Sequence, residues 1–145
     1  MNVDLTMKEL KRRLEAEGYN NQFYCIGSGW GAISDGFALD ITPQGFEFFY
    51  VERGQKSTIQ CFDNEADACR YTYNFLANEK WSKSHLVGFF DSEKQADECV
   101  SWLQKKGIEY LSDTIPYGGP NDVRYRVFVF GNDFRKVKEL RGNGF

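Results

Sequence analysis

The run Phe46-Glu-Phe-Phe-Tyr-Val51 constrains the fold of this chain most strongly. Five of its six residues are aromatic or aliphatic, so the run lacks the alternation of polar and apolar residues that marks a strand with one solvated face. A run of this length is also too short for a typical helix. It therefore predicts a strand that is covered on both of its faces.

The segments around this run predict further strands and turns. The expected strands are residues 22–27, 37–42 and 57–62. A glycine-rich loop, 27–36, separates the first two, and the segments 43–45 and 52–56 have the composition of turns. Together they predict an antiparallel meander.

Two helices are expected to accompany the meander. In residues 4–17, Met7, Leu10 and Leu14 recur three and four residues apart among charged residues, and Gly18 is a plausible stop. Asp63 or Asn64 can cap a second helix, which ends near Asn78. Its predicted apolar stripe consists of Ala66, Cys69, Tyr73 and Leu76.

The second half of the chain predicts a smaller unit in the order β-α-β-β-α. Its strands are expected at residues 85–90, 108–115 and 123–130. Ser92 and Gln95 have the spacing of a capping box before a helix that carries Ala96, Cys99, Val100 and Leu103 and ends at Gly107. Asn132 or Asp133 can cap the last helix. This order resembles half of a ferredoxin-like fold, with helices on one side of a small sheet.

The predicted class is therefore α+β. We expect one unit at residues 1–78, with the helix, meander and helix, a linker at residues 79–84, and the β-α-β-β-α unit at residues 85–145. The chain has 145 residues, which is the usual size of one domain and allows at most two half-size units. We expect the two units to pack together as one compact protein.

Composition excludes several classes of function. The chain has 18 Lys and Arg against 21 Asp and Glu, a net charge of -3, and so lacks the basic excess typical of nucleic-acid binding. It has neither a signal-peptide core nor an apolar run of membrane-helix length, which favours a soluble, cytoplasmic protein without membrane contact. The four scattered cysteines indicate buried thiols rather than disulfides or a metal site.

No pattern of catalytic residues emerges from the sequence. His85 is the only histidine and completes no triad or Cys-His pair at a convincing spacing. The loop Gly27-Ser-Gly-Trp-Gly31 superficially resembles a phosphate-binding loop. However, it leads into a strand rather than a helix, and it carries no lysine to contact a phosphate. The strand 124–130 resembles the aromatic strand of RNA-binding domains but lacks the expected glycines. We therefore expect a protein that is not an enzyme and uses no metal or cofactor.

Two loops place an aromatic residue beside carboxylates. Trp30 precedes Asp35, and Tyr117 lies between Asp113 and Asp122. Such loops suit a protein interface, because the ring can anchor a partner while the carboxylates attract a basic one. The alternative is that the rings fold back over the core and the carboxylates only solvate the chain.

Three short motifs support a resemblance. The segments Phe49-Tyr-Val-Glu-Arg-Gly54, Phe62-Asp-Asn-Glu65 and Ala68-Cys-Arg-Tyr71 resemble those of bacterial immunity proteins that accompany polymorphic toxins, including contact-dependent growth inhibition systems. The likeness covers about residues 5–77. It implies a small cytoplasmic protein that binds one cognate toxin domain, commonly a nuclease, and blocks it without doing chemistry.

The leading hypothesis is thus an immunity protein whose acidic surface meets a basic toxin C-terminal domain. Within the resemblance, Glu52, Arg53 and Gly54 are expected to define a hairpin rather than the toxin contact. The rival is a small enzyme or ligand-binding domain with a pocket between the two units, using His85 or a cysteine. The identity of the toxin, the interface, the choice between blocking the active site and binding elsewhere, and the oligomeric state stay open.

Overall fold

The structure is a computed structural model that describes residues 5–142. Residue 4 of the predicted first helix and residues 143–145 of the predicted second unit lie outside this part. Two compact units emerge, Met1–Lys83 and Ser84–Phe145. The first contains α1 (Met7–Ala16), β1 (Tyr24–Ile26), β2 (Asp35–Thr42), β3 (Gly45–Glu52), β4 (Gln55–Phe62) and α2 (Glu65–Ala77), with 3₁₀ helices at Trp30–Ala32 and Lys80–Lys83. The second contains β5 (Ser84–Phe90), α3 (Glu93–Lys105), β6 (Leu111–Pro116), β7 (Val123–Phe130) and α4 (Asp133–Arg141).

This arrangement confirms the α+β class. Each unit has its own sheet, one of four strands and one of three. Residues Lys80–Lys83, which fall in the predicted linker, form a short helix within the first unit. No helix in the described range 5–142 has the length and apolar content needed to cross a membrane.

The first sheet has the order β1-β2-β3-β4, and its first pair corrects the predicted meander. Strands β2, β3 and β4 pair antiparallel, whereas β1 runs parallel to β2. The segment 27–34, with its 3₁₀ helix, carries the chain back, so that Phe37 N donates to Phe23 O over 2.9 Å. A Cβ at Gly36 would lie 2.2 Å from Phe23 O, so this close approach requires glycine.

Strand β3 is covered on both faces, as the aromatic run predicts. Phe48 and Phe49 are each 0% exposed and point to opposite faces. Phe48 packs among residues of α1 and α2, including Leu10 and Leu76. Phe49 belongs to a smaller cluster on the other face with Ala38, Val51, Cys25 and Trp30. The aromatic run is therefore the centre of the first unit's core.

The helices of this unit start at polar caps. Thr6 Oγ1 accepts from Glu9 N over 3.2 Å at the start of α1. Asn64, rather than Asp63, caps α2, with its Oδ1 accepting from Asp67 N over 2.9 Å. These bonds satisfy backbone donors that have no partner within the helix.

The hairpin between β3 and β4 contains the motif that carries the family resemblance. Its two-residue loop is Arg53 and Gly54, with φ values of 52° and 78°. Two successive positive φ angles define a type I′ turn, which favours Asn or Gly at its first central position. Gly54, at the second central position, adopts its positive φ without strain, whereas Arg53, at the first, adopts a conformation that disfavours long side chains.

We expect Arg53→Asn to raise the free energy of unfolding by about 0.5–1 kcal/mol, because Asn tolerates the left-handed region better than Arg. Urea denaturation of the two proteins measures the difference. Gln55→Asn, at the extended first residue of β4, is the control and should bring no gain. A loss of stability in R53N would show that the Arg53 side chain itself stabilises the fold.

The second sheet has the order β5-β7-β6, with both pairs antiparallel. This is the predicted split arrangement, since β7 lies between the two strands that α3 connects. Strand β6 begins at Leu111 rather than at residue 108, because Ile108 N donates to Leu103 O over 3.0 Å and closes the end of α3. Ser92 makes no side-chain bond at the start of α3, so the predicted capping box does not form, and Ser92 O instead accepts from Ala96 N.

The cysteines are only partly the buried thiols that the sequence predicts. All four are free, and Cys69 and Cys99 are buried. Burial raises the pKa of the Cys69 thiol to about 12 and that of Cys99 to about 11, so both stay protonated and unreactive at neutral pH. Cys25 is half-buried, and Cys61, which lies on the edge strand β4, is exposed.

Candidate functional site

Helices α3 and α4 cover one face of the second sheet. We call the opposite face, which these two helices leave uncovered, the outer face. Side chains on β7 alternate between the two. Tyr125, Val127 and Val129 pack with residues of α3 and α4. Arg124, Arg126 and Phe128 therefore lie on the outer face.

Three large apolar side chains are exposed on and beside the outer face. Leu86 is 48% exposed, Phe89 is 44% exposed and Tyr117 is 60% exposed. The rings of Phe89 and Tyr117 meet edge to face, with centroids 5.6 Å apart. We call these three residues the Phe89–Tyr117 patch. Neighbouring exposed apolar side chains of this kind mark surfaces that bind other molecules.

Two arginine–carboxylate pairs frame the patch. Arg126 donates from Nε and Nη2 to both carboxylate oxygens of Asp113, over 2.8 and 2.6 Å. Arg124 pairs with Asp122 and holds its guanidinium 4.5 Å from the centroid of the Tyr117 ring. The hydrogen bonds that each arginine donates to its carboxylate raise the pKa of that arginine. Asp113 and Asp122 therefore have their charges compensated locally.

The loop that presents Tyr117 is fixed by its own backbone. Tyr117 N and Gly118 N both donate to Asp122 O, over 2.9 and 3.1 Å, and Asp122 N donates to Gly119 O. Such a closed loop restricts the conformations of its aromatic residue, and a residue restricted in this way would lose less entropy if it were bound. The structure thus brings together three of the residues that the sequence indicates, Asp113, Tyr117 and Asp122.

The other two predicted residues, Trp30 and Asp35, lie on opposite faces of the first sheet. The Trp30 ring packs edge to face on Phe49, with centroids 5.1 Å apart, and is half-buried. This is the alternative in which a loop aromatic folds back over the core. Asp35 shares a face with Phe37, where it accepts a hydrogen bond from Tyr50 Oη.

Asp35 borders a cavity of about 270 Å³ within the first unit. Its aromatic lining residues include Phe23, Phe37 and Trp81. Asp35, Glu79 and Ser82 also line it, together with Tyr50. Sequence reasoning misses this cavity, because Glu79, Trp81 and Ser82 fall in the segment predicted as a linker. The only sequence signal in that segment is an aromatic residue, Trp81, close to a carboxylate, Glu79.

The Asp35–Tyr50 pair yields a prediction about titration. The hydrogen bond to the Asp35 carboxylate raises the pKa of Tyr50 to about 12 from its ordinary value of 10. The fold therefore stabilises the neutral phenol, a contribution that is present below pH 10 and lost as the pH rises through about 12. Asp35→Asn should return the Tyr50 pKa towards its ordinary value.

Titration of the tyrosine Cζ signals by NMR tests this expectation. Asp40→Asn is the matched control, since Asp40 lies on the same strand but bonds Ile41 N instead. If Tyr50 in the unmodified protein titrated near pH 10, the bond to Asp35 would not exist in solution.

Residues suited to catalysis or metal binding are dispersed. The His85 ring stacks on Phe134 at the start of β5, with centroids 4.4 Å apart and planes 5° from parallel. Within residues 5–142, His, Cys, Asp and Glu side chains form no group of three that could hold a metal ion. The Phe89–Tyr117 patch and the cavity beside Asp35 are therefore candidate places for binding.

No protein-family model, curated protein or solved structure matches this chain. The resemblance to immunity proteins thus depends on short motifs alone. These motifs lie between Phe49 and Tyr71, in β3, the hairpin, β4 and α2 of the first unit. The Phe89–Tyr117 patch lies in the second unit, outside them.

Proposed function

We propose that this chain is an immunity protein that binds and neutralises a cognate toxin domain by direct protein–protein association. The Phe89–Tyr117 patch carries the proposal. Each of its three side chains has about half of its surface exposed, or more. A partner that covers them would remove this apolar surface from water. Each such anchor can contribute about 1–2 kcal/mol to binding.

The chemistry of the patch favours a protein as the partner. Tyrosine, phenylalanine and arginine are enriched in protein interfaces, where aromatic anchors sit inside a polar rim. Here Phe89 and Tyr117 supply the rings, while the Arg124–Asp122 and Arg126–Asp113 pairs supply polar groups beside them. The outer face of a sheet also offers an extended surface rather than an enclosed pocket.

The net charge of the whole chain, rather than the two carboxylates beside the patch, favours a basic partner. Because Asp113 and Asp122 are paired, the steering field comes from the net charge of -3 rather than from these two residues. A nuclease, the class that the resemblance implies, carries cationic surface for phosphate. Opposite fields would speed the association, and the apolar anchors would slow dissociation.

The proposed role requires no catalysis. His85 stacks on a phenylalanine, and the thiols of Cys69 and Cys99 have raised pKa values. Neutralisation then follows from binding alone, by covering the toxin's active site or holding the toxin away from its substrate.

Co-expression tests the proposed function. The toxin C-terminal domain encoded by the neighbouring gene is expressed with and without this chain, and survival and co-purification are scored. We expect growth only in the presence of this chain, together with a stoichiometric complex. An active toxin that still kills and leaves no complex would overturn the proposal, as would a gene neighbourhood that holds no toxin.

A further inference from the structure

Strand β5 is an edge strand, because the second sheet of the described residues has the order β5-β7-β6. The open side of an edge strand presents backbone groups that can pair with another strand. β5 has seven residues and contains neither a charged residue nor a proline. It also carries two large exposed apolar side chains, Leu86 and Phe89. An uncharged, apolar edge of this length favours pairing with a strand of another chain.

The other sheet edges of the described residues carry features that oppose such pairing. β1 has only three residues. β4 carries Lys56, and its register with β3 is irregular beside Ile59. β6 carries Asp113 and ends at Pro116. Short strands, charges, bulges and prolines all hinder the addition of a further strand. We therefore expect pairing at β5 rather than at the other edges.

A bulge in β5 brings Leu86 and Phe89 to the same face of the sheet. The two residues are three positions apart, so in a regular strand they would point to opposite faces. Here Leu86 lies opposite Phe128, and Phe89 lies opposite Arg126. Val87 is the extra residue of the bulge. Since Phe128 and Arg126 lie on the outer face, both exposed side chains of β5 lie there too.

One antiparallel register matches these faces between two copies of β5. It places Leu86 of one copy opposite the partner's Phe89, so that four apolar side chains meet on the outer face. It also places His85 opposite the partner's Phe90. Both of these side chains point to the helix-covered face, where His85 stacks on Phe134. A shift by one residue would oppose side chains that point to different faces.

Charge favours a second copy of the chain as the occupant of this edge. Residues 84–145 contain nine Lys and Arg and nine Asp and Glu, so the second unit is neutral and the acidic excess of the chain lies in the first unit. Two neutral units with uncharged edge strands approach each other without repulsion. A basic strand from another protein would find no carboxylate on β5 to pair with.

We propose that this chain forms a two-fold symmetric dimer in which β5 pairs antiparallel with β5 of a second copy, with Leu86 opposite the partner's Phe89. The contact uses the same strand of both copies, so it closes at two. Edge pairing extends the sheet sideways and leaves the outer face uncovered, and the two Phe89–Tyr117 patches become neighbours. One strand pair is a small interface, so we expect a weak dimer, with a Kd on the order of 10–100 µM.

Sedimentation velocity of the full chain, without any toxin, tests the dimer. The protein is measured from about 5 µM to about 500 µM, a range that brackets the expected Kd. The average mass should rise with concentration from 16.8 kDa towards twice that value. A mass that stays at 16.8 kDa over the whole range would overturn the proposal and leave the β5 edge to a strand of another protein.

Two double variants test the register. Leu86→Lys with Phe89→Lys places lysines opposite each other twice, so the dimer Kd should rise at least about tenfold. Leu86→Glu with Phe89→Lys places opposite charges together twice, so it should dimerise at least about tenfold more tightly than the double-lysine variant. Ile41→Lys adds a charge at an exposed apolar residue of the first unit and should leave the Kd unchanged.

Circular dichroism checks that each variant keeps its fold, which we expect because the substituted side chains are exposed. Unchanged dimerisation of the double-lysine variant would overturn the pairing through β5. Equal Kd values for the two double variants would overturn the register. The inference does not depend on the proposed function: a monomer that still neutralises the toxin would refute only the dimer, and a dimer that fails to neutralise it would refute only the proposed function.

Discussion

Phe48→Ala should lower the free energy of unfolding of the first unit by about 4 kcal/mol. Phe48 is 0% exposed, and its ring packs on those of Phe75 and Tyr71, with centroids 4.9 and 5.5 Å away. Alanine removes these contacts and leaves a cavity, because the surrounding helices and strands can close in only partly. Urea denaturation followed by circular dichroism measures the loss.

The control for F48A is Ile41→Ala on the neighbouring strand β2. Ile41 is 63% exposed, so its truncation should change the free energy of unfolding by less than about 1 kcal/mol. If F48A cost no more than I41A, the aromatic run would not form the core of the first unit.

Tyr117→Ala should weaken toxin binding by about 2 kcal/mol, which is about 30-fold in Kd. Tyr117 is the most exposed ring of the Phe89–Tyr117 patch and is held in place by Phe89 and by the Arg124 guanidinium. Phe89→Ala should act similarly, although the two losses will not simply add, because the rings contact each other. Isothermal titration calorimetry with a catalytically inactive toxin domain gives the Kd values.

The matched control for Y117A is Leu140→Ala. Leu140 is a large apolar residue of the same unit, is 53% exposed and lies on α4 rather than on the outer face. Its truncation should leave the Kd unchanged. Equal affinity of Y117A, F89A and the unmodified protein, with the fold retained, would place the toxin contact elsewhere.

Hydrophobic pattern predicts the elements of this fold well where burial decides the conformation. The run from Phe46 to Val51 lacks alternation because both faces of β3 are covered. In β7 the pattern is only partly informative, because Tyr125, Val127 and Val129 pack with α3 and α4, whereas Phe128 on the other face is also buried, at 7% exposed. The sequence thus indicates which side chains face the helices, but not the burial of Phe128 on the opposite face.

Strand direction and pairing could not be read from the same pattern. Strand β1 has only three residues, and its parallel pairing depends on the path of the 27–34 loop and on the approach of Gly36 to Phe23. Asp113 meets Arg126 because the two are opposite each other in the register of β6 and β7. Until the register is known, the sequence indicates no partner for the Asp113 carboxylate.

The cavity beside Asp35 was hidden for a similar reason. It combines residues from Phe23 to Ser82, which are distant in sequence and come together only through the sheet and the 3₁₀ helix Lys80–Lys83. That helix is polar and too short to show a period, so its segment resembles a linker. Sites assembled from several elements leave no local pattern.

Amide hydrogen exchange of this chain, alone and mixed with the inactive toxin domain, tests the central claim most directly. We expect a stoichiometric complex in which protection increases in β5, in β7 and in the loop 117–122, while α3 and α4 exchange as before. Absence of a complex, or added protection confined to α3 and α4 or to the first unit, would contradict the account.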